Sequence, residues 1–306
     1  MGTSIPDLTP TRCAICGTEG NARILYEARL PANSFSPEIF SARREPDRIH
    51  YRIVKCRACD LVRSDPILDE DSLVELYSGA SFDYQEELEN LKKTYRGALD
   101  RLFLKDPSHK RLLDVGCGNG FVLEEALRAG WEEVAGFEPT TDAVTAAAPG
   151  VRDTIVTGPL VTDKFEPESF SAITLFQVLD HLSDPVGALQ TCADYLEPGG
   201  VMLIWNHNVT ALSARLLGER SPIFDVEHTY LYSPRTLSRL IEAAGLSVLE
   251  VGSVRNTYSI PYFLRLAPLP TGLEASAGRV LKALTLGSLT LTLPLGNMAL
   301  IARKPL

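Results

Sequence analysis

From about residue 110 the chain alternates short apolar runs with amphipathic stretches. RLLDVGCG (111–118), EEVAGFEP (132–139), DTIVTG (153–158), FSAITLFQVL (170–179), VMLIWN (201–206), LSVLEVGSV (246–254) and MALIARKP (298–305) have the length and apolar content of buried strands. Between them, FVLEEALRAG (121–130), TDAVTAAAPG (141–150), VGALQTCADYLEPGG (186–200) and SPRTLSRLIEAAG (233–245) read as helices. Gly130 and the Pro-Gly-Gly at 198–200 stop two of them, and Ser233 before Pro234 is an N-cap followed by proline at N1. Regular alternation of this kind predicts an α/β fold, a parallel sheet with helices on both faces.

Upstream the pattern changes. Residues 66–105 are mostly helical, and LDEDSLVELY has the acidic start that suits a helix N-terminus. Residues 1–65 read as short strands and turns. Three units follow: a small module at 1–65, a helical bridge at 66–109 and an α/β domain at 110–306. Within the last, 257–296 is apolar and interrupted by prolines. It reads as a core-covering insertion, a substrate lid or a membrane-contacting surface.

Composition narrows the class. The chain has 306 residues, 45% of them hydrophobic, ample for a sizeable core. A net charge of −9 argues against a general nucleic-acid binder, which needs a basic face. Neither a signal-peptide core at the start nor an apolar run of about 18 residues is present, so no membrane span is expected. With six cysteines and no secretion signal, a reduced, cytoplasmic location is the expectation.

Four of those cysteines form two C-x-x-C pairs, Cys13 with Cys16 and Cys56 with Cys59. Each spacing lets one tight turn aim two thiolates at a single ion, and two such turns make a closed tetrahedral zinc site. Four thiolates leave no open position for water, so a structural zinc is expected. The competing reading is buried or redox-active cysteine. Residues 43–63 carry seven Lys/Arg against three Asp/Glu, a basic island that is either a solvated surface or a platform for a phosphate-bearing acceptor.

The first strand of the α/β domain runs into Asp114-Val-Gly116-Cys-Gly118-Asn-Gly120. A dinucleotide loop, G-x-G-x-x-G, wants glycine at 121, where this chain has Phe121. Asp114 would repel a pyrophosphate but can accept a hydrogen bond from an ammonium group. S-adenosylmethionine has an α-ammonium and no phosphate. Glu138, at the end of the second strand, can take both ribose hydroxyls. Phe137, Pro139 and Leu160 can wall the adenine, and Phe176 and Gln177 can lie under the methionine portion.

LLDVGCGNG, VAGFEPT, FQVLDHLSDP and LEPGGVMLI resemble the successive motifs of class I S-adenosylmethionine-dependent methyltransferases, over about residues 110–255. The cysteine-rich front end is similar to the zinc-binding module of certain bacterial methyltransferases, including deoxysugar C-methyltransferases of antibiotic pathways. DVEHTYLYSPRTLSRLIEAAGL resembles the segment that brings a Glu-His pair to the substrate. The resemblance implies a Rossmann-like seven-stranded sheet, His228 as base with Glu227 in support, and a helical bridge that brings Tyr77 and Tyr84 over cofactor and acceptor. It implies a small-molecule acceptor, such as a nucleotide-linked sugar or another secondary-metabolite or glycan precursor. This chain stops at 306, short of the longer C-terminal domain usual in the sugar enzymes.

Methyl transfer needs the acceptor positioned and, for most acceptors, deprotonated. His181 directly follows the fourth strand and is a second candidate beside the cofactor. His207 is a third, and Asn206 could orient a substrate carbonyl or hydroxyl. Two other classes compete. A non-catalytic module would use the zinc platform for protein contacts and have no need of the loop and Glu138. An NAD-linked oxidoreductase would need the third Rossmann glycine.

Overall fold

The computed structural model describes residues 7–31, 34–41, 47–81, 88–106, 108–260 and 290–306. In chain order the front end supplies β1 (Ala22–Tyr26), β2 (Ile53–Cys56), β3 (Val62–Ser64), α1 (Glu70–Ser78) and α2 (Leu88–Phe103). The α/β part begins with β4 (Arg111–Val115), α3 (Phe121–Ala129), β5 (Glu133–Glu138), α4 (Thr141–Thr145), α5 (Pro149–Arg152), β6 (Ile155–Thr157) and β7 (Phe170–Phe176). It continues with α6 (Pro185–Tyr195), β8 (Leu196–His207), α7 (Leu212–Leu217), β9 (Tyr230–Leu231), α8 (Pro234–Ala243), β10 (Ser247–Ser253), β11 (Asn256–Ser259), β12 (Thr290–Leu293) and β13 (Asn297–Arg303).

A seven-stranded sheet runs in the order β10-β13-β8-β7-β4-β5-β6. The strands from β8 through β6 are parallel, but β13 is antiparallel to both neighbours. The sheet is therefore mixed, a correction to the all-parallel expectation. Strand alternation in sequence does not carry direction; the connection does. Here β10 and β13, consecutive in chain order among the strands of this sheet, pair directly with each other and run antiparallel. TDAVTAAAPG is split where Pro149 starts a second short helix, and LEPGG belongs to β8 rather than to the end of α6.

The caps explain the helix ends. Asp69 accepts from Ser72 N at 2.8 Å and starts α1. Ser233 and Thr236 form a reciprocal capping box on α8, with Pro234 at N1. Gly130 closes α3 with φ 118°, where a side chain would be strained.

One face of the sheet buries Leu99, Leu102, Phe121 and Leu123 of α2 and α3 against Leu112, Leu203 and Trp205. The other buries Leu189, Leu237 and Leu240 of α6 and α8 against Ile173, Leu175 and Ile204. Cys13, Cys56, Cys59 and Leu61 belong to this second cluster, so the cysteine knuckles pack onto the α/β core. A second sheet, β1-β2-β3-β9, ties the two regions together: β9 comes from the segment after β8 and pairs antiparallel with β3. The front module thus completes its sheet with a strand from beyond residue 110. The apolar segment expected at 257–296 lies largely outside the described residues; its two ends pair as the β11–β12 ribbon.

Asp106, buried at 3% exposure, ties the bridge to the sheet. Its Oδ2 accepts from Trp131 Nε1 and Ser171 Oγ, each at 2.7 Å, and its Oδ1 from Ser108 N and His109 N at 2.9 and 3.1 Å. Removing the carboxylate strands several buried donors. Asp106→Ala is expected to cost about 2–4 kcal/mol, the scale of buried donors left unsatisfied, read as a lower urea midpoint at unchanged m-value.

Candidate active site

The carboxyl ends of β4, β5, β6 and β7 open into one cavity of about 560 Å³, where open α/β sheets bind ligands. The Gly116–Gly118 loop forms its floor. Gly116 has φ 70°, and a Cβ there would stand 2.4 Å from Val178 Cγ2, so only glycine fits. The amides of Gly116 and Cys117 both donate to Phe137 O, at 2.8 and 3.0 Å, fixing the loop to β5. Gly120 does not reach the cavity. It begins α3 against Val151 and Ile155.

Asp114 and Glu138 sit side by side beneath the loop, both nearly fully buried. Asp114 Oδ1 accepts from Thr174 Oγ1 at 2.6 Å. Burial pushes its carboxyl up to about 8; the Thr174 hydroxyl opposes this and the Glu138 charge adds to it. Glu138 is also raised by burial, although Gly118 N (2.8 Å) and Thr140 N (2.9 Å) each donate to one of its oxygens. Two backbone donors orient the carboxylate and leave it lone pairs for a diol. Pro139, Leu160, Phe176, Gln177 and Phe137 all line the same cavity. Gln177 has φ 58°, a left-handed conformation uncommon outside glycine, directly at the end of β7. Tyr84 lies outside the described residues.

Cys117 completes the loop. It is buried, and its thiol lies against Gly136, where a Cβ would approach Sγ to 2.5 Å. Burial first, then the charges of Asp114 and Glu138, push this thiol well above its usual value.

The opposite wall carries the candidate chemistry. His181, His207 and His228 all line the cavity, with ring centroids 4.9 Å apart for His181–His228 and 4.7 Å for His207–His228. His228 Nδ1 lies 2.8 Å from Ile223 O. A carbonyl can only accept, so Nδ1 carries the hydrogen and Nε2 the lone pair. Burial and the neighbouring His207 lower its pKa, which keeps the ring neutral and able to take a proton. The group that orients the ring is thus a backbone carbonyl, and the carboxylates that act on its charge are Asp180 and Asp225. Glu227, expected as the support, accepts from Tyr77 OH through its main-chain oxygen at 3.5 Å.

Tyr77 reaches over from α1. Its hydroxyl lies 3.0 Å from His181 Nδ1, and its own carbonyl accepts from Thr140 Oγ1 at 3.2 Å, on the loop that follows Glu138. Burial, with the charges of Glu227 and Asp225, holds this phenol protonated. The bridge therefore touches both the loop after Glu138 and the histidine wall.

Two contributors escaped the sequence reading. Tyr95 of α2 stacks on Phe176 at 4.2 Å between centroids and lines the cavity; its spacing with Leu91 and Leu99 marked only a buried helix face. Asp180 is fully buried, and its Oδ2 lies 2.8 Å from His207 Nδ1. In sequence it is one more residue after a strand, and nothing there announces three histidines around it. Asn206, proposed to orient substrate, is fully buried and absent from the cavity wall. Among the described lining residues there is no lysine or arginine.

Away from the cavity, the sulfurs of Cys13, Cys16, Cys56 and Cys59 lie within 4.8 Å of one another; on the histidine wall, donor atoms of Asp180, His181 and His228 do the same. Close pairs among the thiols are 3.1 Å (Cys13–Cys59), 3.7 Å (Cys16–Cys56) and 3.8 Å (Cys16–Cys59).

Residues 84–251 match the family described as "Methyltransferase domain". The chain belongs to this family. It is a class I S-adenosylmethionine-dependent methyltransferase, with the Rossmann-like sheet expected. It is 26% identical over 168 residues to a ubiquinone biosynthesis O-methyltransferase of Aliivibrio fischeri, covering 49% of this chain and 72% of that protein. It is 30% identical over 190 residues to the human mitochondrial ubiquinone biosynthesis O-methyltransferase, covering 52% and 50%. In structure it is similar to a SAM-dependent methyltransferase from Archaeoglobus fulgidus, with TM-score 0.50 at 18% identity over 72% of this chain and all of the other. No helix among the described residues of the methyltransferase is long and apolar enough to cross a membrane.

The state of Asp114 gives a test. An unfolded aspartate loses its proton near pH 4, the folded one only near 8, so between them the folded state holds the extra proton. Stability from this group therefore falls as pH rises through that window. Asp114→Asn is expected to melt higher than wild type at about pH 8 without cofactor, with the advantage vanishing by about pH 4. The same variant should bind S-adenosylmethionine about tenfold or more weakly by calorimetry, since it loses a charged acceptor.

Proposed function

We propose that this methyltransferase methylates a small molecule whose acceptor atom loses a proton to His228. The observation that carries the reading is a neutral histidine, its Nε2 lone pair fixed by the Nδ1–Ile223 hydrogen bond, in the same cavity as the Gly116–Gly118 loop and Glu138. S-adenosylmethionine supplies a methyl group on a good leaving group. Asp114 is proposed to hold its ammonium and Glu138 its ribose, with Gly116 and Gly118 allowing close backbone approach and Pro139, Leu160, Phe176 and Gln177 forming the walls. His181 and Tyr77 flank His228 and are proposed to position the acceptor, with Glu227 behind Tyr77.

Two acceptor classes fit a histidine base. A hydroxyl is favoured by the relatives named for ubiquinone biosynthesis O-methylation. A carbon acid beside a carbonyl, as in a sugar precursor, is favoured by the cysteine module and the Glu227-His228 segment. The basic island gives little support to a phosphate-bearing acceptor. Arg63 is buried against Thr11, Arg52 bonds Asp65 O, and Lys55 pairs with Asp60 at 2.9 Å.

The decisive experiment is a screen of hydroxylated and keto acceptors with methyl-labelled S-adenosylmethionine, with the label located by mass spectrometry. With an acceptor in hand, His228→Ala should lower kcat by about 10²-fold or more. Unchanged turnover removes His228 from the role of base.

We also propose a structural zinc on Cys13, Cys16, Cys56 and Cys59. Tetrahedral Zn–S bonds of about 2.3 Å place sulfurs about 3.8 Å apart, near the spacing of the Cys16 pairs. Metal analysis should find one zinc per chain, lost in Cys59→Ser. Chelation should lower the melting temperature while S-adenosylmethionine binding by calorimetry is largely kept. Absence of zinc from the purified protein would refute the assignment.

A further inference from the structure

Asp180 occupies a position that methyl-donor binding does not explain. Its side chain, beyond the C-terminal end of β7, is fully buried, and one oxygen, Oδ2, lies 2.8 Å from His207 Nδ1 at the end of β8. The other, Oδ1, has no hydrogen-bond partner and lies 3.9 Å from His181 Nε2. A buried carboxylate with a bare oxygen is costly unless positive charge comes to it.

The backbone around it is fixed to the base. Thr229 N and Tyr230 N both donate to Asp180 O, at 2.8 and 3.2 Å, immediately after His228. Carboxylate and His228 therefore cannot drift apart without breaking the start of β9. His207 packs its ring 4.7 Å from that of His228 while holding the carboxylate.

We propose that Asp180 is the counter-charge of the proton acceptor, clamped by His207 so that its negative charge stabilises the imidazolium formed on His228. This rests on His228 being the base. In the step, the acceptor X–H bond breaks and its proton goes to His228 Nε2, the electron pair left on X forms the bond to the methyl group, and the methyl–sulfur bond breaks with its electron pair returning to sulfur, so that S-adenosylhomocysteine is the leaving group. Asp180 touches no reacting atom; it is a positioning residue.

The other titratable groups around the cluster work in both directions. Tyr77 from α1 and Tyr232 beyond β9 are held as neutral phenols by burial, and His181 adds another imidazole. Asp225 supplies a second carboxylate to His228 from the preceding loop, and Glu227 acts on Tyr77. Asp180 differs from these last two in being fully buried, where a charge is least screened.

The test needs no acceptor. Side-chain ¹H–¹⁵N spectra resolve the chain's five histidines, assigned by single His→Gln variants. In Asp180→Asn the titration midpoint of His228 should fall by about one unit or more, the effect of removing an opposite charge at close range, while distant His109 stays put. A His228 midpoint that does not move overturns the proposal. Should Asp180→Asn fail to fold, the wild-type ¹³C carboxyl shift of Asp180 decides: ionised at about pH 5 supports the proposal and protonated there overturns it. With an acceptor identified, the ascending limb of kcat against pH should move to lower pH in Asp180→Asn and the plateau should fall about tenfold or more, at unchanged affinity for S-adenosylmethionine. Loss of rate with the limb in place would mean a merely structural role. If His228→Ala itself keeps full activity, it is the assignment of the base that fails.

Discussion

A strand pair only two residues long keeps the two halves of the catalytic cavity in register. Val62 and Arg63 of β3 pair with Leu231 and Tyr230 of β9. Around that pair, Ser64 N donates to Thr229 O, Ser64 Oγ to His228 O at 2.8 Å, and Tyr230 OH to Arg12 O at 2.9 Å. β3 begins three residues after Cys59, so the cysteine knuckles act on the histidine wall through a direct backbone route. The module at the front thus braces the histidine wall, and its Cys13, Cys56, Cys59 and Leu61 share one buried cluster with Ile173 and Leu175 of β7 and Leu237 and Leu240 of α8.

Two equally buried carboxylates, Asp114 and Asp180, end with opposite shifts. Asp114 has a single hydroxyl donor and an acidic neighbour in Glu138, so desolvation wins and its proton is retained up to about 8. Asp180 is buried as deeply, yet the hydrogen bond with His207 and the nearby imidazoles outweigh desolvation and hold it well below the usual carboxylate range. The contrast is one of company rather than depth. Asp114, with no cationic partner beside it among the described residues, stays neutral. Asp180, ringed by imidazoles, stays charged.

Much of this was legible in the sequence. Strands β4, β5, β6, β7 and β8, the glycine loop and Glu138 follow from local pattern, because a buried parallel strand and a tight turn each leave a short-range signature. The direction of β13 was not, because direction belongs to the connection. Nor was β9, since two residues carry no periodicity. Convergence of His181, His207 and His228 on Asp180 depends on where three separate strand ends and loops meet. The resemblance put Glu227 in support of His228; the backbone carbonyl of Ile223 that meets the ring's Nδ1 carries no side-chain signature that a sequence could show.

Cys117 carries a consequence of its own. A cysteine among loop glycines, in the wall of a cavity that takes a methyl donor, is a potential rival nucleophile. Only the thiolate attacks readily. Burial against Gly136 comes first and the acidic neighbours Asp114 and Glu138 second in holding the proton on this sulfur. A thiol packed this tightly, and kept protonated chiefly by its burial, is a poor competitor for a methyl group, so the loop can carry a cysteine beside its glycines.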